Sequence, residues 1–176
     1  MITIRKAMKE DVTAIAEIYN EAILNTTATF DTEPKSAEDR MKWLKSHDKN
    51  HPVIVAEANG KVIGWASLTQ WSDRCAYDKT SEVSVYVHHE HRGRGVGKKL
   101  LERLVAEGEK AGTHYMLARI SEGNAESIHI HELFGFSKIG VMHQVGFKFG
   151  KFLDVTLMER VGTNSPGSYQ SSKFFL

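Results

Sequence analysis

The sequence predicts an α/β protein in which a central mixed sheet is flanked by helices. Three observations carry that prediction. Hydrophobic periodicity along the chain alternates between the two-residue repeat of strands and the helical repeat, in the order β, α, α, β, β, β, α, β, α, β, β. Asn59-Gly60 joins two apolar runs as a tight hairpin turn. A strand at 80–87 enters a helix through a turn rich in glycine.

The elements follow in chain order. Ile2 to Arg5 alternates apolar and polar side chains as a strand does, and Val12, Ile15, Ala16, Tyr19, Ala22 and Ile23 recur at helical spacing behind Asp11, which is placed as the helix cap. Ser36 with Asp39 three residues on forms a capping-box pattern that opens a short helix through Trp43 and Leu44. Val53–Ala58 and Val62–Leu68 are the two arms of the hairpin, turned by Asn59-Gly60 in the type I′ geometry. On the strand Thr80–Val87, Val83, Val85 and Val87 share one face, and Glu82, Ser84 and Tyr86 share the other. Val96, Leu100, Leu101, Leu104 and Val105 mark a helix that ends near Gly112. Tyr115–Ile120 reads as a strand, Ala125–Phe134 as a helix closed by Gly135, and Phe136–Phe147 and Phe152–Met158 as two late strands around Gly150. Residues 1–161 are thus expected to form one domain, and the Gly/Ser/Asn/Pro-rich stretch 162–176 a flexible tail.

Composition removes several classes of function. The 176 residues are 41% hydrophobic and 26% charged, and no apolar run approaches the roughly 18 residues of a membrane span. A net charge of +1 supplies no global field for nucleic acid or an anionic membrane, so any anion site must be local. One cysteine, Cys75, excludes an internal disulfide, and the N-terminus lacks a signal-peptide pattern. A cytoplasmic protein is expected. The histidines at His88-His-Glu-His91 and at His129 and His131 raise a metal reading, but no HExxH or cysteine set accompanies them, and no metal is expected.

The glycine turn carries the chemistry. Gly93, Gly95 and Gly97 between strand and helix allow a tight bend whose backbone N–H groups converge at a helix N-terminus, which is how proteins cradle a pyrophosphate. A Walker A loop would need glycine where Arg92 stands and a hydroxyl where Lys99 stands; a dinucleotide GxGxxG from Gly93 would need a small residue at Lys98. The remaining pattern, R/Q-x-x-G-x-G/A, is met by Arg92, Gly95 and Gly97.

With this motif the chain resembles the GCN5-related N-acetyltransferases. A second segment, Asn124-Ala-Glu-Ser-Ile-His-Ile-His131-Glu-Leu-Phe-Gly135-Phe136, is similar to the family's second motif. Residues 2 to 160 further resemble the phosphinothricin and methionine sulfoximine acetyltransferase branch. The matching pieces are Ile18–Ala22, Ala28–Thr32, Trp71–Asp78, Glu82–Val87 and Val145–Asp154, with Phe152 standing where the branch commonly has tryptophan.

The resemblance implies a mostly antiparallel sheet in the acyl-CoA N-acyltransferase fold and acetyl-CoA as cosubstrate. It also implies a small amino-acid-like acceptor and a homodimer, with neither nucleic acid nor membrane as partner. Glu82 is placed as general base. His131 takes the family's general-acid position, with a structural histidine as the alternative. For the cosubstrate the resemblance implies the backbone of Val85, Tyr86 and Val87, the cradle Arg92, Gly93, Arg94, Gly95, Val96, Gly97 and Lys98, and Asn124, which is equally well read as a plain N-cap. For the acceptor, Arg74 would pair with a carboxylate or oxyanion unless it is a surface arginine, with Phe30 and Tyr77 as walls and Glu82 at the amine. Acetylation of a protein N-terminus or a polyamine, a CoA sensor without turnover, and a P-loop nucleotide module are the competing functions.

Overall fold

The computed structural model describes residues 1–162, so the expected tail lies, from residue 163 on, outside the described residues. Seven strands form one sheet in the order β1-β2-β3-β4-β5-β7-β6. The strands are β1 (Thr3–Lys6), β2 (Val53–Ala58), β3 (Lys61–Gln70), β4 (Thr80–Val87), β5 (Tyr115–Ser121), β6 (Ser137–Lys148) and β7 (Lys151–Val161). The helices are α1 (Val12–Asn25), α2 (Ala37–Lys45), α3 (Val96–Ala111) and α4 (Ala125–Leu133). Every neighbouring pair is antiparallel except β4 with β5.

Both faces of the sheet are covered, as the sequence pattern requires. On one face α3 and α4 pack over β3, β4 and β5: Leu100, Leu101 and Leu104 are fully buried against Leu68, Val83, Met116 and Ala118. Each such leucine is worth about 2–5 kcal/mol against truncation to alanine. On the other face α1 places Ile15, Ile18 and Tyr19 against Val55, Trp65 and Tyr86. Trp65 stacks on Tyr86 at 4.7 Å between ring centres, and Tyr19 meets Tyr86 edge-on at 5.0 Å. These aromatic contacts fix the end of α1 beside β4, and the segment 27–31 leaves from there.

The hairpin and the capping box form as their residues dictate. Asn59 and Gly60 take φ of 52° and 75°, the two left-handed residues of a type I′ turn. Ser36 accepts the Asp39 N–H at 3.0 Å while the Asp39 carboxylate accepts from Ser36 N, which closes the capping box. Asp11 corrects the sequence reading. It stands at the N-cap position of α1, but its side chain makes no capping bond; the carboxylate turns back to accept from the two terminal Arg5 nitrogens at 2.7 and 2.8 Å and from Met8 N at 2.7 Å. A buried carboxylate gains more from a guanidinium fork than from a single amide, so Asp11 ties β1 to the start of α1.

The β4/β5 pair positions the site. Its parallel ladder covers only Thr80–Glu82 with Tyr115–Leu117, after which the strands part. On the other edge of β4 the ladder to β3 runs through to Val87. Trp71 N donates to Thr80 O and His88 N to Ile63 O, so the even residues of β4 spend their amides on β3. The amide of Val83 closes the short ladder to β5, and those of Val85 and Val87 consequently face the gap.

Candidate active site

Two cavities open into that gap. The first, about 320 Å³, runs from Val85 and Val87 along Arg92, Gly93, Gly95, Gly97 and Lys98 to Asn124 and His131. The second, about 510 Å³, holds Glu82, Ser84, Arg119 and Ser121 on its floor, with the segment 27–31, Met142 and Val145 as walls. Thr27, Ala28, Val85, Tyr86, Asn124, Ser127 and His131 line both. One cleft, bent at the splayed strands, therefore joins a backbone-lined arm to a side-chain-lined arm.

The first arm has the features expected of a pyrophosphate and pantetheine channel. Gly95, the residue before α3, has φ of 76°, and a Cβ there would meet no protein atom within 4 Å. Gly93, Gly95 and Gly97 line the cavity at a helix N-terminus, where the first N–H groups have no intrahelical partner. Val85 offers an outward-facing amide, whereas the amide of Tyr86 is turned to Trp65 on β3, so Tyr86 contributes its ring and not its backbone. Arg92 lines the cleft but is already engaged: Nε donates to Val87 O at 3.1 Å, and Nη2 pairs with Glu21. Lys98 faces the cavity; Arg94 is not among the lining residues. Asn124 caps α4 through Oδ1, which accepts from Ser127 N at 3.2 Å, as the N-cap reading expects, and it lines the cleft as well.

Glu82 and His131 share the second arm, and each has a partner that sequence reasoning missed. Glu82, with a side chain 21% exposed, accepts two bonds from Arg119, Nε to Oε1 at 2.6 Å and Nη2 to Oε2 at 3.0 Å. Arg119 sits two residues beyond Leu117, the register partner of Glu82, and so on the same face. His131 is 5% exposed, edge-on to Phe136 at 5.0 Å, with Nδ1 at 2.7 Å from Ser127 O. Burial lowers its pKa below the ordinary histidine value, so the ring is neutral at neutral pH. A carbonyl can only accept. Nδ1 therefore carries the hydrogen and Nε2 a lone pair. This revises the expected acid role: the donating nitrogen is spent on Ser127, and the free one can take a proton before it can give one.

The acceptor walls also differ from expectation. Phe30 lines the second arm, but Arg74 and Tyr77 do not; they lie on and beside the exposed 3₁₀ turn Cys75–Tyr77 that precedes β4. Lys148 was not anticipated either. Its ammonium is buried and donates to Thr29 O at 2.8 Å, which fixes the segment carrying Phe30. Asp154 accepts from Gln144 N at 2.7 Å and from His143 Nδ1 at 2.8 Å, holding the irregular stretch of β6 that brings Val145 to the cavity. Away from the cleft floor, His88, Glu90 and His91 bring ligand atoms within 4.8 Å of one another. His129 is not part of that group.

Comparison with known proteins agrees with this geometry. The family model described as "Acetyltransferase (GNAT) family" matches residues 14–136. The chain is 43% identical over 159 residues to the L-amino acid N-acyltransferase MnaT of Escherichia coli strain K12, covering 90% of this chain and 92% of that one. It is also 43% identical to the L-methionine sulfoximine/L-methionine sulfone acetyltransferase of Salmonella typhimurium, over 90% of this chain and 93% of the relative. The solved structure of yncA from Salmonella typhimurium with its cofactor acetyl-CoA superposes with a TM-score of 0.88 at 43% identity, covering 91% and 93% of the two chains. With a backbone cradle, a splayed strand pair and a carboxylate at their junction, the chain belongs to the GNAT family and is an acetyl-CoA-dependent N-acetyltransferase.

Proposed function

We propose that the protein acetylates the α-amine of a small amino acid or amino-acid analogue, of the methionine sulfone, methionine sulfoximine or phosphinothricin type. One observation carries the reading: the cradle and a half-open cavity of mixed polar and apolar lining meet at the parted strands, with Glu82 inside the cavity. The named acceptors of the 43% identical relatives support it. A cavity of about 510 Å³ suits a small molecule, not a protein chain.

The residues divide the work as their positions allow. Acetyl-CoA supplies the thioester carbon that the amine attacks. The outward N–H of Val85 and the cradle from Gly93 to Gly97 hold and polarise it. Glu82 takes a proton from the acceptor ammonium, and the freed amine attacks. His131 accepts the second nitrogen proton at Nε2 and returns it to the departing thiolate. Overall one ammonium and one thioester give an amide, a thiol and one proton, which Glu82 releases to water.

Residues 1–161 form the catalytic domain in this reading, and the protein works in the cytoplasm. Exposed Leu24, Phe147, Phe149 and Phe152 form an apolar surface that supports a homodimer. Arg74 and Tyr77, which line no cavity of their own chain, would then serve the partner's acceptor site. The test is release of free thiol from acetyl-CoA over a panel of amino acids, the three analogues, polyamines and N-terminal peptides. Turnover confined to the amino acids and analogues is expected. Preference for polyamines or peptides would overturn the assignment.

A further inference from the structure

Both oxygens of Glu82 are occupied in the structure. Arg119 holds them in a two-bond fork that takes one lone pair of each and sets a guanidinium charge against the carboxylate, so an incoming ammonium meets a like charge there until the fork is given up. The arginine is placed to move. Its side chain is 50% exposed and projects into the acceptor cavity, while its neighbours Ala118 and Ile120 anchor the strand in the core. Nη1 has no hydrogen-bond partner among the described residues. Among the described residues, Arg119 is also the one arginine or lysine lining this cavity, which otherwise carries the carboxylates Glu82 and Asp31.

An acceptor with an ammonium and a carboxylate on the same carbon is the complement of that ion pair. We infer that Arg119 is a latch and the specificity-determining residue for acceptors bearing an anion beside the amine. The incoming carboxylate takes over the guanidinium, and Glu82 is released to the ammonium. The exchange turns one ion pair into two and leaves no charge unpaired. A polyamine, or an amino acid whose carboxylate is masked as an amide, brings no anion. It must pull Glu82 away and leave the guanidinium to water, exchanging one ion pair for another instead of turning one into two. This inference rests on the proposed acceptor class and adds the group that enforces it.

The experiment compares methionine sulfone with its carboxamide as acceptors, in the parent and in Arg119→Ala, by thiol release from acetyl-CoA. The parent should prefer the free acid strongly. In Arg119→Ala, kcat/KM for the acid should fall roughly 10- to 150-fold, the loss expected for charge-assisted hydrogen bonds, while the carboxamide holds or improves because Glu82 is free. The acid-to-amide ratio should thus collapse toward one, a readout that mere loss of structure does not produce. Arg119→Lys keeps the charge without the fork and should give an intermediate ratio, whether or not the alanine variant folds. An unchanged ratio in either variant, with the parent active on the acid, overturns the latch and leaves the proposed function standing. A parent that acetylates neither compound nor any other amino acid overturns both.

Discussion

The two arms of the cleft are built on different principles. The cradle arm is made by contiguous backbone: β4 runs into the turn at Gly93 and Gly95 and on into α3, so a single stretch of chain supplies its donors. The acceptor arm is made by side chains that arrive from α1, the 27–31 segment, β4, β5, α4, β6 and β7. A backbone cradle depends on local conformation and tolerates variation in side chains. A side-chain cavity depends on long-range packing and changes with every substitution. That difference explains how one scaffold can keep its cosubstrate while its acceptor varies.

The sharpest test of where the arms join is Glu82. Glu82→Gln preserves size and the capacity to hydrogen-bond but cannot accept the acceptor's proton, so kcat/KM should fall about 10²- to 10⁴-fold near neutral pH. Binding of acetyl-CoA, measured by calorimetry, should be unaffected, because Glu82 lines only the acceptor arm. Full activity in the variant would remove Glu82 as the base.

The same division governs what could be read from the sequence. The Asn59-Gly60 turn, the Ser36–Asp39 capping box and the glycine cradle are each set by residues within a few positions of one another, and the structure forms them as their chemistry requires. The family resemblance points to Glu82, Phe30, Asn124 and His131, which line the cleft, and equally to Arg74, Tyr77 and Arg94, which do not. What escaped were contacts across the fold. Arg119 meets Glu82 from 37 positions away, and Lys148 meets Thr29 from 119. No periodicity announces such pairs. Asp11 had the right residue type for a cap, but a stronger partner, Arg5, stood within reach only once β1 was docked. For His131 the sequence located the ring, and only the Ser127 carbonyl reveals which nitrogen is free.

On the cradle side, Gly95→Val adds a branched side chain at a residue lining the cavity and forces it into a left-handed conformation that valine disfavours. Acetyl-CoA affinity should drop by roughly tenfold or more, about the 1–2 kcal/mol that a residue strained in this conformation costs plus the lost approach. Gly95→Asn separates the two causes, since asparagine accepts the conformation and still fills space. If Gly95→Asn binds acetyl-CoA as the parent does, strain and not occupancy explains the valine result. If Gly95→Val itself binds normally, the cradle assignment is wrong.

The smallest effect should appear at the far wall of the acceptor arm. Gly146, on β6, lies under the ring of Phe30, and a Cβ at that position would overlap the ring. Phe30 is 37% exposed, so Gly146→Ala should displace it instead of unfolding the sheet. Displacement moves a wall that contacts the acceptor and leaves the chemistry alone. The KM for the acceptor should therefore rise only a few-fold, short of the roughly 1–3 kcal/mol that losing a whole apolar contact costs in a pocket, while kcat and acetyl-CoA affinity stay near parental values. Phe30→Leu should then suppress the Gly146→Ala effect, because the smaller side chain leaves room for the methyl. Additive losses in the double variant would mean that Gly146 acts through the irregular stretch of β6 around Gln144 and not through Phe30, and the acceptor wall would have to be sought on that strand.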